Sequence, residues 1–212
     1  MNFLTKIDFP LVAILRGIYP EEVIEHAKAM YEIGFRLIEV PTNSPNWEKS
    51  VQLLVDYFGD KALIGAGTVI TKEHYESFKK TGGRLLVTPN FNPTIVKAAI
   101  ADNITTCIGA FSVTEVVGAA QEGASIVKIF PAGNAGLEYC KSILTIAPRT
   151  SKYYCVGGIN RENLTEFLDV GFHGAGLGSD LYKPGQSVDT TKENAQVYFD
   201  IYKNYKNENN RD

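Results

Sequence analysis

Short apolar runs and amphipathic stretches alternate along the whole chain, and this alternation constrains the fold more than any other feature of the sequence. The apolar runs are Leu11 to Arg16, Arg36 to Pro41, Ala62 to Thr68, Arg84 to Pro89, Ile104 to Gly109, Ser125 to Pro131, Tyr153 to Gly157 and Gly174 to Gly178. They have the length and bounding residues of buried strands. Helix-start signals stand between them: Pro20-Glu21-Glu22, Ser44-Pro45, Thr71-Lys72-Glu73, Asn92-Pro93, Ser112 with Glu115, Asn134, Asn160-Arg161-Glu162 and a last one near Thr191. Ser112 and Glu115 make a capping box, and a proline just inside a helix start is tolerated because its missing N–H would be unpaired there. A helix between two strands returns the chain to the same edge, so the strands run parallel, and eight such units close into a (β/α)8 barrel. The competing doubly wound open sheet wants a glycine-rich turn after its first strand, where this chain has Arg16-Gly17-Ile18-Tyr19-Pro20.

With 212 residues, 44% hydrophobic and 21% charged, the chain suits one compact barrel with short loops. That domain is expected over residues 1–205, with a polar C-terminal tail over 206–212, and the stretch from Lys203 onward is expected to fray. A formal net charge of -3 argues against nucleic acid as a partner. No stretch approaches the roughly 20 apolar residues of a membrane span, and Met1 to Pro10 lacks the apolar centre of a signal peptide. Cys107, Cys140 and Cys155 are odd in number, widely spaced and set among apolar residues, so neither a disulfide framework nor a zinc knuckle fits. The cytoplasm is the expected compartment. His26 and His74 fall on expected helices and His173 precedes the eighth strand, on the wrong face of the barrel, so no histidine-built metal site is expected.

Active sites of such barrels collect at the C-terminal ends of the strands. In the sixth run, Lys128 interrupts an otherwise apolar sequence and shares a face with Ile126 and Phe130, while Val127 and Ile129 point the other way. Apolar walls disfavour the charged ammonium, leaving a neutral amine that can attack a carbonyl. Taken alone, a lysine at a strand end more often snorkels to water. The other strand ends, however, carry Arg16, then Glu39 with Pro41-Thr42-Asn43, then Gly65-Ala66-Gly67-Thr68, then Thr88-Pro89-Asn90. Arg16 or Glu39 alone is commonly an exposed charge, and Thr68 a helix cap; together with Lys128 they set a cation, a carboxylate and an amine at one mouth. Val156-Gly157-Gly158-Ile159 and the run from Gly174 to Gly178 and Ser179 let backbone N–H groups approach an oxyanion, in the loops that usually seat phosphate. Tight turns are their plainer reading. No Gly-x-Ser-x-Gly elbow or Cys/His pairing is present, which leaves lysine as the nucleophile.

The segments Val12-Ala-Ile-Leu-Arg-Gly17, Ile38-Glu-Val-Pro-Thr-Asn-Ser-Pro45, Ala62-Leu-Ile-Gly-Ala-Gly-Thr-Val69, Val87-Thr-Pro-Asn90, Lys128-Ile-Phe-Pro131 and Gly176-Leu-Gly-Ser-Asp-Leu-Tyr182 are specific in combination. Over nearly the whole chain they resemble the class I pyruvate aldolases of the Entner-Doudoroff type. The resemblance implies that Lys128 forms a Schiff base and Glu39 shuttles the proton. It implies that Arg16 and Thr68 bind substrate, with Asn43, Pro89 and Phe130 beside them, and that Gly157, Gly158, Gly178 and Ser179 bind phosphate. A phosphorylated keto-acid substrate, no cofactor and a homotrimer are implied as well. Phosphogluconate-cleaving relatives carry arginine four residues after the glutamate; Asn43 stands here, as in the phosphogalactonate branch. Phosphogluconate and 4-hydroxy-2-oxoglutarate are the alternative substrates. Whether Arg16 takes the pyruvyl carboxylate or the phosphate stays open. A phosphosugar epimerase would use Glu39 as a base and Lys128 only as an electrostatic clamp, and a non-catalytic phosphosugar-binding protein would keep the glycines without a perturbed lysine.

Overall fold

Strands covered by helices outside and packed side chains inside have no solvent face, which is why these runs are apolar throughout rather than alternating. A computed structural model describes residues 3–209. After a 3-10 turn at Phe3–Lys6, the elements are β1 (Leu11–Ile14), α1 (Val23–Ile33), β2 (Leu37–Pro41), α2 (Trp47–Phe58), β3 (Leu63–Gly67), α3 (Lys72–Lys80), β4 (Leu85–Val87) and α4 (Pro93–Ala101). There follow β5 (Thr105–Ala110), α5 (Val113–Gln121), β6 (Ile126–Ile129), α6 (Ala132–Ala135), α7 (Leu137–Ile146), β7 (Lys152–Val156), α8 (Leu164–Asp169), β8 (Gly174–Leu177) and α9 (Val188–Asn209). All eight strands pair in parallel, in sequence order, and β8 closes on β1. The chain is the expected (β/α)8 barrel. No helix among the described residues is long and apolar enough to cross a membrane.

The caps follow the local chemistry. Ser112 and Glu115 form the reciprocal box at α5, Thr71 accepts from the His74 N–H at α3, and Asn92 accepts two N–H groups in front of Pro93 at α4. Three expectations are corrected. Helix α2 begins at Trp47 rather than at Ser44-Pro45, because Asn46 takes a left-handed conformation (φ 46°) and the Ser44 hydroxyl is engaged by the Gly17 N–H instead. The helix expected at Asn134 is two, α6 and α7, broken at Gly136 (φ 84°). The C-terminal stretch from Lys203 is helical through Asn209, because α9 lays Phe199 and Tyr202 against Phe9, with ring centroids 5.5 and 5.4 Å apart. Residues 210–212 of the expected tail lie outside the described residues.

Two apolar clusters hold the barrel together. The larger lies between strands and helices. The smaller fills the lower interior with Val12, Leu37, Leu63, Leu85, Val87, Cys107, Ile126 and Tyr154, and Leu4 closes it from below. The polar site stands on this plug.

Candidate active site

Lys128 lies within β6, not at a frayed strand end, and only 5% of it is exposed. In register it sits between Gly109 of β5 and Tyr154 of β7. Glu39 occupies the middle of β2, beside Ile14 and Gly65, and is 3% exposed. Its carboxylate fills the space in front of β3: a Cβ at Gly67 would fall 2.0 Å from Glu39 Oε2, so that position has no room for a side chain. Burial pushes the Glu39 carboxyl up to about 7, against the opposing pull of Lys128, Arg16 and a Gly67 backbone contact. Burial likewise lowers the Lys128 ammonium, partly offset by Cys107 and Glu39 and reinforced by Arg16. A carboxyl that titrates near neutrality beside a destabilised ammonium is the pairing that proton-transfer chemistry needs. Glu39 Oε2 has no hydrogen-bond partner among the described residues, an expensive arrangement for a buried oxygen.

A cavity of about 370 Å³ is lined by Ile14, Arg16 and Phe130 and by Gly157, Gly158, Gly178 and Ser179 of the β7 and β8 loops; neither Lys128 nor Glu39 is among its lining residues. Phe130 links the cavity to the amine: it lines the cavity, and the Lys128 Nζ lies 4.9 Å from its ring centroid. Gly157 and Gly158 both have positive φ (87° and 75°), a backbone path that other residues adopt only under strain. Arg16 Nη1 donates to Asn43 Oδ1 at 2.6 Å and Nη2 to Thr68 Oγ1 at 3.5 Å, so three expected binding residues form one chain of contacts. Thr68 is not a helix cap; it has φ 58°, and Thr71 caps α3. Asn43 does not cap α2, whose N-cap is Asn46. Pro89 does not line the cavity: its backbone lies against the inner face of Gly109, where a Cβ would come within 2.2 Å of the Pro89 carbonyl carbon.

Lys183, Asp180 and Asn160 also line the cavity and were not legible as site residues. Lys183 follows β8 in an exposed loop, and nothing in its neighbours separates it from an ordinary surface lysine. The histidines lie elsewhere: His26 Nδ1 meets Thr191 Oγ1 between α1 and α9, and His173 Nδ1 accepts the Tyr153 N–H at the N-terminal end of the barrel.

A closed (β/α)8 barrel whose interior holds a buried lysine and carboxyl, with an arginine- and glycine-lined cavity at the ends of its strands, has the layout of a barrel enzyme. The family model described as "KDPG and KHG aldolase" matches residues 4–196, and the chain belongs to that family. It is an aldolase, a carbon–carbon lyase. A 2-dehydro-3-deoxy-6-phosphogalactonate aldolase of Escherichia coli K12 is 42% identical over 203 residues, covering 96% of this chain and 98% of the relative. A solved structure described as native KDPGal has a TM-score of 0.91 at 42% identity, over 93% of this chain and 96% of the other. A cube-shaped cage designed by fusing symmetric oligomeric domains matches with a TM-score of 0.93 at 41% identity, over 96% of this chain and 76% of the other.

Proposed function

We propose that this enzyme cleaves 2-dehydro-3-deoxy-6-phosphogalactonate to pyruvate and glyceraldehyde 3-phosphate through an imine on Lys128. The observation that carries this reading is the burial of Lys128 and Glu39 within electrostatic reach of one another and of Arg16, which lines a cavity together with the glycines of the β7 and β8 loops. The name of the Escherichia coli relative supports the substrate.

The neutral amine attacks the C2 ketone, and loss of water leaves a protonated imine one bond from C3. Glu39, as carboxylate, takes the proton of the C4 hydroxyl; the C3–C4 bond breaks, its electron pair moves into the imine as an enamine, and glyceraldehyde 3-phosphate departs. Glu39 gives that proton to C3 of the enamine, which regenerates its carboxylate, and water hydrolyses the resulting imine to release pyruvate and restore the amine. Arg16, held by Asn43 and Thr68, binds the carboxylate, and Gly157, Gly158, Gly178 and Ser179 receive the phosphate. Phe130 covers the amine and limits water around it; Pro89 acts at most by supporting the wall at Gly109. Desolvation of Lys128 favours a nucleophile over the electrostatic clamp that an epimerase would need. Pyruvate with borohydride is expected to label Lys128 alone and abolish cleavage; labelling elsewhere, or cleavage that survives untouched, would overturn the imine.

The assembly we propose is a homotrimer. Phe111 and Val113 are 44% and 47% exposed, Tyr139 stacks on Phe111 at 5.1 Å, and a repeated rotation can bury such a patch completely. The cage built from symmetric oligomeric domains is consistent with a closed assembly. A monomer mass by light scattering at micromolar concentration would reject it. The buried, free thiols of Cys107, Cys140 and Cys155 support the cytoplasm as the compartment.

A further inference from the structure

Two cations face the cavity, and they are handled differently. The head of Arg16 is drawn toward the loops after β2 and β3 by Asn43 and Thr68, away from the glycines of β7 and β8. Lys183 lies on the glycine side, in the loop between β8 and α9. Among the described residues it forms no salt bridge; the acid on the same wall, Asp180, instead pairs through its Oδ2 with Arg161 Nε at 3.0 Å and accepts the Tyr198 hydroxyl at 2.6 Å. The Lys183 backbone is fixed. Its N–H donates to Gln186 Oε1 at 2.9 Å, and Gln186 Nε2 donates to Leu181 O and Thr191 Oγ1 at 3.1 and 2.7 Å. Pro184 packs on Gly17 so closely that a Cβ there would come within 2.7 Å of Pro184 Cγ, which ties this loop to the one bearing Arg16.

Backbone N–H groups and the Ser179 hydroxyl offer a phosphate hydrogen bonds but no full charge, whereas a phosphate monoester carries about 1.5 to 2 negative charges at neutral pH. We propose that Lys183 is the counter-cation of the substrate's phosphate, and that it makes the enzyme select phosphorylated over unphosphorylated substrates of the same carbon skeleton. This rests on the aldolase reading above and leaves Arg16 for the carboxylate.

The test is aldol addition of pyruvate to glyceraldehyde 3-phosphate and to unphosphorylated glyceraldehyde, by the unaltered enzyme, Lys183→Met and Lys183→Arg, each at low and high salt. Lys183→Met is expected to lower the ratio of the two kcat/KM values roughly 10- to 100-fold, chiefly through KM for the phosphorylated aldehyde. Its KM should also lose most of its salt dependence. Lys183→Arg should restore most of the ratio. An unchanged ratio, whether both aldehydes slow alike or neither does, overturns the assignment of Lys183. Borohydride trapping of pyruvate on the unaltered enzyme separates the two failures: no adduct overturns the imine on which the proposed function rests, and an adduct with an unchanged ratio overturns only the phosphate contact.

Discussion

The lower half of the barrel interior is filled by Leu37, Leu63, Leu85, Ile126 and Tyr154, while the layer directly above holds Lys128 and Glu39 beside the small Gly65, Gly67 and Gly109. Both layers hang on the same strands, only two residues apart: Ile126 below Lys128, Leu37 below Glu39. Burying each large aliphatic side chain stabilises the fold by about 1.5 to 3 kcal/mol, whereas taking an ammonium or a carboxylate out of water costs several kcal/mol per ion, which their mutual attraction repays only with excellent geometry. One layer therefore offsets what the other costs. Stability and chemistry are separated by a single step along each strand, and substitutions in the two layers should fail in opposite ways.

The largest effect belongs to the upper layer. Lys128→Met replaces the nucleophile with an apolar chain of similar length, so cleavage should fall by about 10⁴-fold or more, and no pyruvate adduct should form. The melting temperature should hold or rise, since an amine buried in apolar walls is removed. A variant that lost both activity and cooperative unfolding would break the separation. In the lower layer Leu37→Ala should behave inversely, losing about 2 to 5 kcal/mol of stability while the borohydride adduct with pyruvate still forms on Lys128 at a temperature where the variant is folded.

Glu39 sharpens the comparison because its cost depends on pH. Its carboxyl titrates near 7 in the folded chain against 4.5 ordinarily. The folded state therefore holds the proton more tightly, and the contribution to stability is complete below about 4.5 and is lost as pH rises through about 7. Glu39→Gln, which cannot ionise, should be more stable than the parent at pH 8, by on the order of 3 kcal/mol, with the gap closing as pH falls to 5. Catalysis should move the other way: kcat falls about 10²-fold or more, and the rise of activity through pH 7, which reports the carboxylate form of the base, disappears. Melting curves and pH–rate profiles on the same two proteins check both halves.

How much of this was legible follows the same division. Strand order, parallel pairing and closure come from the alternation of apolar runs and helix starts, because a chain of βα units has few other ways to bury both faces of its strands. Lys128 was legible not from its own segment, where a stem snorkelling to water is the plainer reading, but from the carboxylate and the cation that the pattern sets at the ends of other strands. Contacts made by side chains leaving neighbouring loops were not: that Arg16 turns toward Asn43 depends on rotamers rather than spacing, and Lys183 is marked only by what its loop packs against. The helical C-terminus was hidden by its polar composition, although Ala195, Tyr198, Phe199 and Tyr202 carry the helical spacing that buries α9. At α2 the Ser44-Pro45 start signal was outweighed by the hydroxyl's tertiary bond to the Gly17 N–H.

The smallest expected effect concerns Asn43, where the Arg16 contact changes what a substitution tests. If Asn43 reads the C4 configuration directly, Asn43→Arg should lower kcat/KM for the phosphogalactonate substrate more than for its C4 epimer, by roughly one decade in the ratio, as one gained or lost hydrogen bond allows. If it acts by holding Arg16, a second guanidinium beside the first drives it away through like-charge repulsion, and KM rises for both epimers alike, since the carboxylate is common to them. In neither case should the melting temperature fall much, because Asn43 is exposed and Asn46, not Asn43, occupies the N-cap of α2. Asn43→Ala separates the two roles without adding charge: it removes the 2.6 Å acceptor from Arg16 while leaving the guanidinium free to keep its Thr68 contact. A ratio that moves in Asn43→Arg but not in Asn43→Ala would show that arginine reads C4 by its own contacts; a common rise in KM in both variants would assign Asn43 to the positioning of Arg16 and remove it from the choice between epimers.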